Sequence, residues 1–176
     1  MDKVLYQKKK KRFEKIICQI DKSIADVDKE IKQLIDDDDT LSKQHELLCS
    51  VDGIGDRTAL KMIVETNAFK DFKDPRKFCC HAGVAPFSFT SGNSQRSRNK
   101  VSHRTDKSIK ALLHMAALVV ATKMKGELND YFVRKIAEGK NKMSVLNAVR
   151  AKLVFRMFAV IKNERPYQKI YSNLLT

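Results

Sequence analysis

Between Phe78 and Lys110 the chain reads FCCHAGVAPFSFTSGNSQRSRNKVSHRTDKSIK, a stretch that gathers the groups able to handle a phosphodiester. The hydroxyls of Ser88, Thr90, Ser91, Ser94, Ser97, Ser102 and Thr105 are interleaved with Arg96, Arg98, Lys100, Arg104, Lys107 and Lys110, and Asp106 alone opposes the positive charge. Gly92 frees the backbone beside Ser91. A serine hydroxyl is a weak nucleophile, and attack on phosphorus builds up negative charge, so flanking cations and amides are what such chemistry requires. The stretch has neither helical nor strand periodicity and is expected to be a loop. A loop of this length inside a compact domain is either functional or disordered.

A second constellation precedes it. LLCSVDGIGDRTALKMIVETN, about residues 47–67, has an apolar helix end, then Gly53-Ile54-Gly55, then a helix carrying Ala59, Leu60, Ile63 and Val64. This resembles the helix-hairpin-helix of non-specific DNA-binding proteins. Glycines let the backbone approach a phosphate, the first amides of the next helix point at it, and Arg57 and Lys61 add charge. A two-glycine turn between helices with no ligand is the plainer alternative. No metal site is expected in the chain. The cysteines Cys18, Cys49, Cys79 and Cys80 form no Cys-x-x-Cys pair, and the histidines His45, His81, His103 and His114 show no ligand spacing. Reduced thiols in a cytoplasmic chain are expected. The run Asp36–Asp39 projects its carboxylates in different directions and reads as punctuation between helices, with Asp39 or Thr40 as the next cap.

These residues need elements to position them. Residues 1–51 carry 11 Lys and Arg against 11 Asp and Glu, while 52–176 carry 24 against 10, which accounts for the whole net charge of +14. A neutral arm on a basic body points to a polyanion, with DNA first among candidates. No apolar run reaches membrane-spanning length, and the residues after Met1 do not read as a signal peptide. In 4–35, Ile17, Ile20, Ile24, Val27, Ile31 and Leu34 alternate spacings of three and four, with Tyr6 and Phe13 extending the seam. That is a coiled-coil pattern, and a homodimer is expected through it.

Downstream, Asp74-Pro75 should start a helix that Gly83 ends, and Thr105 or Asp106 should cap the helix from Lys107. Two more helices follow, at 129–138 and 143–162. Met115, Met124 and Met157 read as core filler, and Arg150, Lys152 and Arg156 as a polar face. The fold class is all-α: a coiled-coil arm over 1–39, then a helical bundle over 40–176 containing the helix-hairpin-helix and a serine-bearing basic loop at about 84–106.

Taken in order, Gly53 and Gly55, Phe69 and Phe72 before Pro75, Ala82-Gly83-Val84-Ala85-Pro86, Ser91-Gly92, the basic run and the Leu/Ala-rich helix resemble the C-terminal domain of the IS-one-ten insertion-sequence transposases and Piv/MooV invertases. The similarity covers about residues 47–165. It implies that Ser91, in the Ser-Gly step after the Gly-x-x-Pro turn, attacks DNA and conserves the bond energy in a covalent ester. It also implies a guide (bridge) RNA as a possible partner. Mg2+ is implied only for an N-terminal RuvC-like domain, of which this chain shows no sign; no cofactor is expected in the chain itself. Ser102-His103-Arg104-Thr105-Asp106 departs from the family's usual step before the long helix. The alternative function is a DNA- or RNA-binding module without chemistry, either a degenerate relic of such an enzyme or an accessory protein.

Overall fold

A computed structural model describes residues 3–87, 90–91, 94–95, 100–101 and 106–168. Its helices are α1 (Lys3–Asp36), α2 (Asp39–Cys49), α3 (Asp56–Glu65), α4 (Pro75–His81), α5 (Lys107–Thr122), α6 (Glu127–Ala137) and α7 (Lys142–Asn163). The all-α expectation holds. The chain divides into two compact units, Met1–Ser42 and Lys43–Thr176.

In the first unit, α1 is one uninterrupted helix of 34 residues with neither Gly nor Pro to break it. At 1.5 Å per residue it extends about 51 Å. Its seam is exposed throughout, from Tyr6 and Phe13 through Ile17, Ile20, Ile24, Val27 and Ile31 to Leu34. The acidic run does end α1 and open α2. The cap, however, is Asp38 rather than Asp39 or Thr40: its Oδ1 accepts from the amides of Thr40 at 2.8 Å and Leu41 at 3.1 Å.

In the second unit, α5 and α7 form the centre. α5 packs on α3, α6 and α7, and α7 also packs on α4 and α6. Ile109, Leu113 and Ala117 of α5 and Val149, Leu153 and Met157 of α7 are excluded from solvent. α6 docks through Phe132 against Ala121, Val145 and Leu146. Each full burial of a large aliphatic side chain stabilises the unit by roughly 1.5–3 kcal/mol. Met157 fills the core as expected, whereas Met115 is exposed.

Local chemistry sets the helix starts. Asp74 accepts from the Arg76 amide at 2.8 Å with Pro75 in the first turn, and Asp106 accepts from Ser108 at 2.6 Å. Asn141 does the same for α7. After α3, Asn67, Ala68 and Phe69 all take positive φ (50°, 52° and 62°), a conformation costly for residues with a side chain. Buried Thr66 braces this turn, its hydroxyl donating to Met62 O at 2.6 Å and accepting from the Phe69 amide at 3.1 Å. The turn delivers Phe69 edge-on to Phe158, with ring centroids 5.1 Å apart, and so aims the chain toward α4.

The segment after α4 departs from the expected loop. β1 (Pro86–Phe87) pairs antiparallel with β4 (Lys100–Val101), and β2 (Thr90–Ser91) with β3 (Ser94–Gln95). Each of these strands is two residues long. Pairing that short leaves no apolar alternation in a sequence, which is why periodicity gave no sign of them.

Candidate nucleic-acid interface

The paired segment is built outward from a buried stem. Ala82, Gly83 and Val84 are buried, and Gly83 takes φ 62° where α4 ends. The Val84 amide donates to Cys79 O at 2.9 Å, and its carbonyl accepts from Asn147 Nδ2 of α7 at 2.7 Å. Beyond this anchor come the ladders, nested in register: Pro86 opposite Val101, Phe87 opposite Lys100, Thr90 opposite Gln95, and Ser91 opposite Ser94. Ser91 therefore lies on the last paired rung, with two residues separating it from its partner. Of the basic residues expected here, Lys100 has its backbone in β4. Gly92, Arg96, Arg98 and Arg104 lie outside the described residues, as does His103.

A charge network closes the base of this segment. Lys61 Nζ of α3 lies 2.6 Å from Glu65 Oε1 and 3.1 Å from Asp106 Oδ2, and Glu65 Oε2 meets His81 Nε2 at 3.1 Å. His81 is the last residue of α4 and Asp106 caps α5, so entry and exit of the segment are tied to one lysine. The bond to Glu65, then that to Asp106, raises the Lys61 pKa. Hydrogen bonds from Ser108, followed by the Glu65 and Lys61 contacts, hold the Asp106 carboxyl well below the usual range. Lys61 was expected to meet phosphate; its ammonium is engaged in this clamp. Lys107 is exposed in the first turn of α5.

The two glycines of the α2–α3 turn do different work. Gly53 has φ 81°, and a Cβ there would lie 2.2 Å from Val120 Cγ2 and 3.2 Å from the Ala116 carbonyl. Its lack of a side chain is demanded by contact with α5. Gly55 is exposed, with nothing within 4 Å of a would-be Cβ, and it precedes α3 with no side-chain cap. α3 thus starts without a side-chain cap, with exposed Arg57 beside exposed Asp56, whose carboxylate sits at the positive end of the helix dipole. In the same turn, His45 Nε2, Cys49 Sγ and Asp56 Oδ1 converge, with N–S 3.8 Å, S–O 3.7 Å and N–O 3.5 Å. Burial, reinforced by the Asp56 charge, pushes the Cys49 thiol up to about 11.

Arg150 is not on a polar face. It is only 6% exposed, and one of its terminal nitrogens donates to His114 Nδ1 of α5 at 2.9 Å. Burial, then the guanidinium beside it, holds His114 below its ordinary pKa, so the ring accepts as a neutral base. Arg150 Nε is buried without a partner among the described residues. Lys152 lies over the Tyr131 ring at 4.8 Å; Arg156 lies over Tyr167 at 4.8 Å and pairs with Glu127.

Sequence reasoning missed the clamp and the His45–Cys49–Asp56 cluster. Half of each was visible as i,i+4 spacing, Lys61 with Glu65 and His45 with Cys49; the other halves come from other helices, His81 and Asp106 further along the chain and Asp56 just across the α2–α3 turn.

A family model described as transposase IS116/IS110/IS902 matches residues 45–133. The pilin gene-inverting protein of Moraxella bovis is 28% identical over 147 residues, covering 84% of this chain and 46% of that protein. The insertion element IS116 uncharacterized 44.8 kDa protein of Streptomyces clavuligerus is 25% identical over 162 residues, covering 88% of this chain and 39% of that protein. The chain thus spans less than half the length of these relatives. Among the described residues no helix is long and apolar enough to cross a membrane.

Proposed function

Since the chain belongs to the transposase IS116/IS110/IS902 family, with a role in transposition or recombination of DNA, we propose that it carries the nucleophile of that reaction on Ser91. In this reading the Ser91 hydroxyl attacks a DNA phosphodiester. An O–P bond forms to serine, the bond to one deoxyribose oxygen breaks, and that oxygen leaves with a proton while the serine proton passes to solvent or a base. Reversal with a different strand's hydroxyl rejoins the DNA without a nucleotide cofactor. Arg96, Arg98, Lys100 and Arg104 bind the flanking phosphates, and Lys107 adds charge at the segment's exit. Gly55, Arg57 and the α3 N-terminus hold the duplex non-specifically, as a helix-hairpin-helix does, while Gly53 shapes that turn.

The observation that carries this reading is the backbone register. It supports a serine held at the outer rung of a paired segment whose stem is locked by Asn147 and by the Lys61 clamp. Positioning of this kind lowers the entropic cost of attack. Divalent metal is not assigned to this stem. Its described carboxylates, Glu65 and Asp106, share Lys61, and their other oxygens meet His81 and the Ser108 amide, which leaves no open pair of hard oxygen ligands. We assign Mg2+ to the RuvC-like domain of the family, and the α1 seam to a second copy of this chain. A guide RNA would share the basic surface.

The test is covalent trapping. The full chain is combined with a RuvC-like domain supplied in trans, Mg2+ and a nicked DNA substrate, then denatured and digested. A nucleotide adduct on the peptide holding Ser91, abolished by Ser91→Ala, is expected. An adduct that survives Ser91→Ala overturns the assignment. The excess of +14 favours one second reading, binding of nucleic acid without chemistry. That reading predicts salt-dependent binding with no adduct under any of these conditions.

A further inference from the structure

We propose that His45, Cys49 and Asp56 form a site for a borderline transition-metal ion, Zn2+ or its analogue Co2+, that staples the end of α2 to the start of α3. A tetrahedral ion with one nitrogen, one sulfur and one oxygen ligand at usual bond lengths holds those atoms about 3.3–3.6 Å apart. The three donors stand 3.5–3.8 Å from one another, so a contraction of a few tenths of an ångström closes the shell. Two of them sit one turn apart on the same face of α2, which fixes their spacing before any metal arrives. The third comes from the first residue of α3, and the intervening turn is held against α5 by Gly53.

Among the described residues this is the one group of three or more His, Cys, Asp or Glu side chains whose ligand atoms converge so closely. The mixture of imidazole, thiol and carboxylate selects zinc or cobalt over magnesium or calcium, which require several oxygen ligands. On binding, a metal–sulfur bond forms and the Cys49 proton leaves to solvent. His45 binds through neutral Nε2 and keeps its proton on Nδ1. His45 and Cys49 are half-buried and Asp56 is exposed, so the fourth position faces solvent and is filled by water or an anion.

The experiment uses the full chain, reduced, in a Cys18→Ser/Cys80→Ser background that removes the two exposed thiols elsewhere. Titration with CoCl2 should give a sulfur-to-cobalt charge-transfer band and the intense visible absorption of a four-coordinate site. Equimolar ZnCl2 should bleach both, and either metal should raise Tm, while MgCl2 leaves spectrum and Tm unchanged. Cys49→Ala should abolish the charge-transfer band. Asp56→Asn, at an exposed position, should weaken cobalt binding by about tenfold or more without altering helical circular dichroism. If Cys49→Ala unfolds the chain, Asp56→Asn decides alone. Absence of the band, its persistence in folded Cys49→Ala, or undiminished affinity in Asp56→Asn overturns the proposal. Ser91→Ala should leave the titration unaltered, so the two readings fail separately.

Discussion

α1 and α7 are the two longest helices, and they handle apolar residues in opposite ways. α1 spends them on a narrow seam, one residue every three or four positions, with charge between, and the whole seam is exposed. α7 buries Val145, Leu146, Val149, Leu153, Val154, Met157, Phe158 and Val160, a face wide enough for α4, α5 and α6 to cover. Stripe width separates the two roles: a broad face makes core, and a narrow one suits a single partner helix. Damage should therefore register as lost stability in the body and as lost association in the arm.

The largest stability effect should come from the point where the α2–α3 turn meets α5. Gly53→Ala places a methyl 2.2 Å from Val120 Cγ2 on a backbone at φ 81°. It should destabilise the Lys43–Thr176 unit by about 2–5 kcal/mol in urea unfolding, with partial rescue by Val120→Ala. A wild-type midpoint would break the contrast. In the arm, Ile24→Asp puts a charge into the middle of the seam. It should turn a sedimenting dimer into a monomer and leave the body's unfolding midpoint unchanged; a monomeric parent chain would remove the dimer from the account.

The smallest effect belongs to the clamp. Asp106→Ala removes the α5 cap and one partner of Lys61, and it should lower Tm by a few degrees at pH 7. The Asp106 carboxyl is depressed in the folded chain, so its contribution is complete above the ordinary carboxylate pKa near 4. It fades as pH falls toward the folded value. The gap between wild type and variant should narrow below pH 4 in thermal melts, and a gap that widens there would contradict the clamp.

Much of the helical framework was readable because its determinants are local. Asp74 before Pro75 and Asp106 before α5 each fix a boundary through a side chain and amides two or three residues on. Asp38 rather than its neighbours caps α2 because adjacent aspartates are equivalent to any pattern and differ only in which reaches the free amides. Arg150 was misplaced by residue type, although its spacing was right. It lies four after Leu146 and three before Leu153, on the buried face, where His114 accepts from it.

Residue order alone settled the helix content, the long N-terminal helix, and the charge asymmetry that points to a polyanion, because each depends on neighbours within a turn or on simple addition. Folding decided that Lys61 clamps Asp106, that Gly53 seats on Val120, that Ser91 pairs with Ser94 across a ladder, and that Asp56 joins His45 and Cys49. Those contacts bring together residues whose interaction energies exist only once the elements between them have packed, and such distances have no signature along the chain.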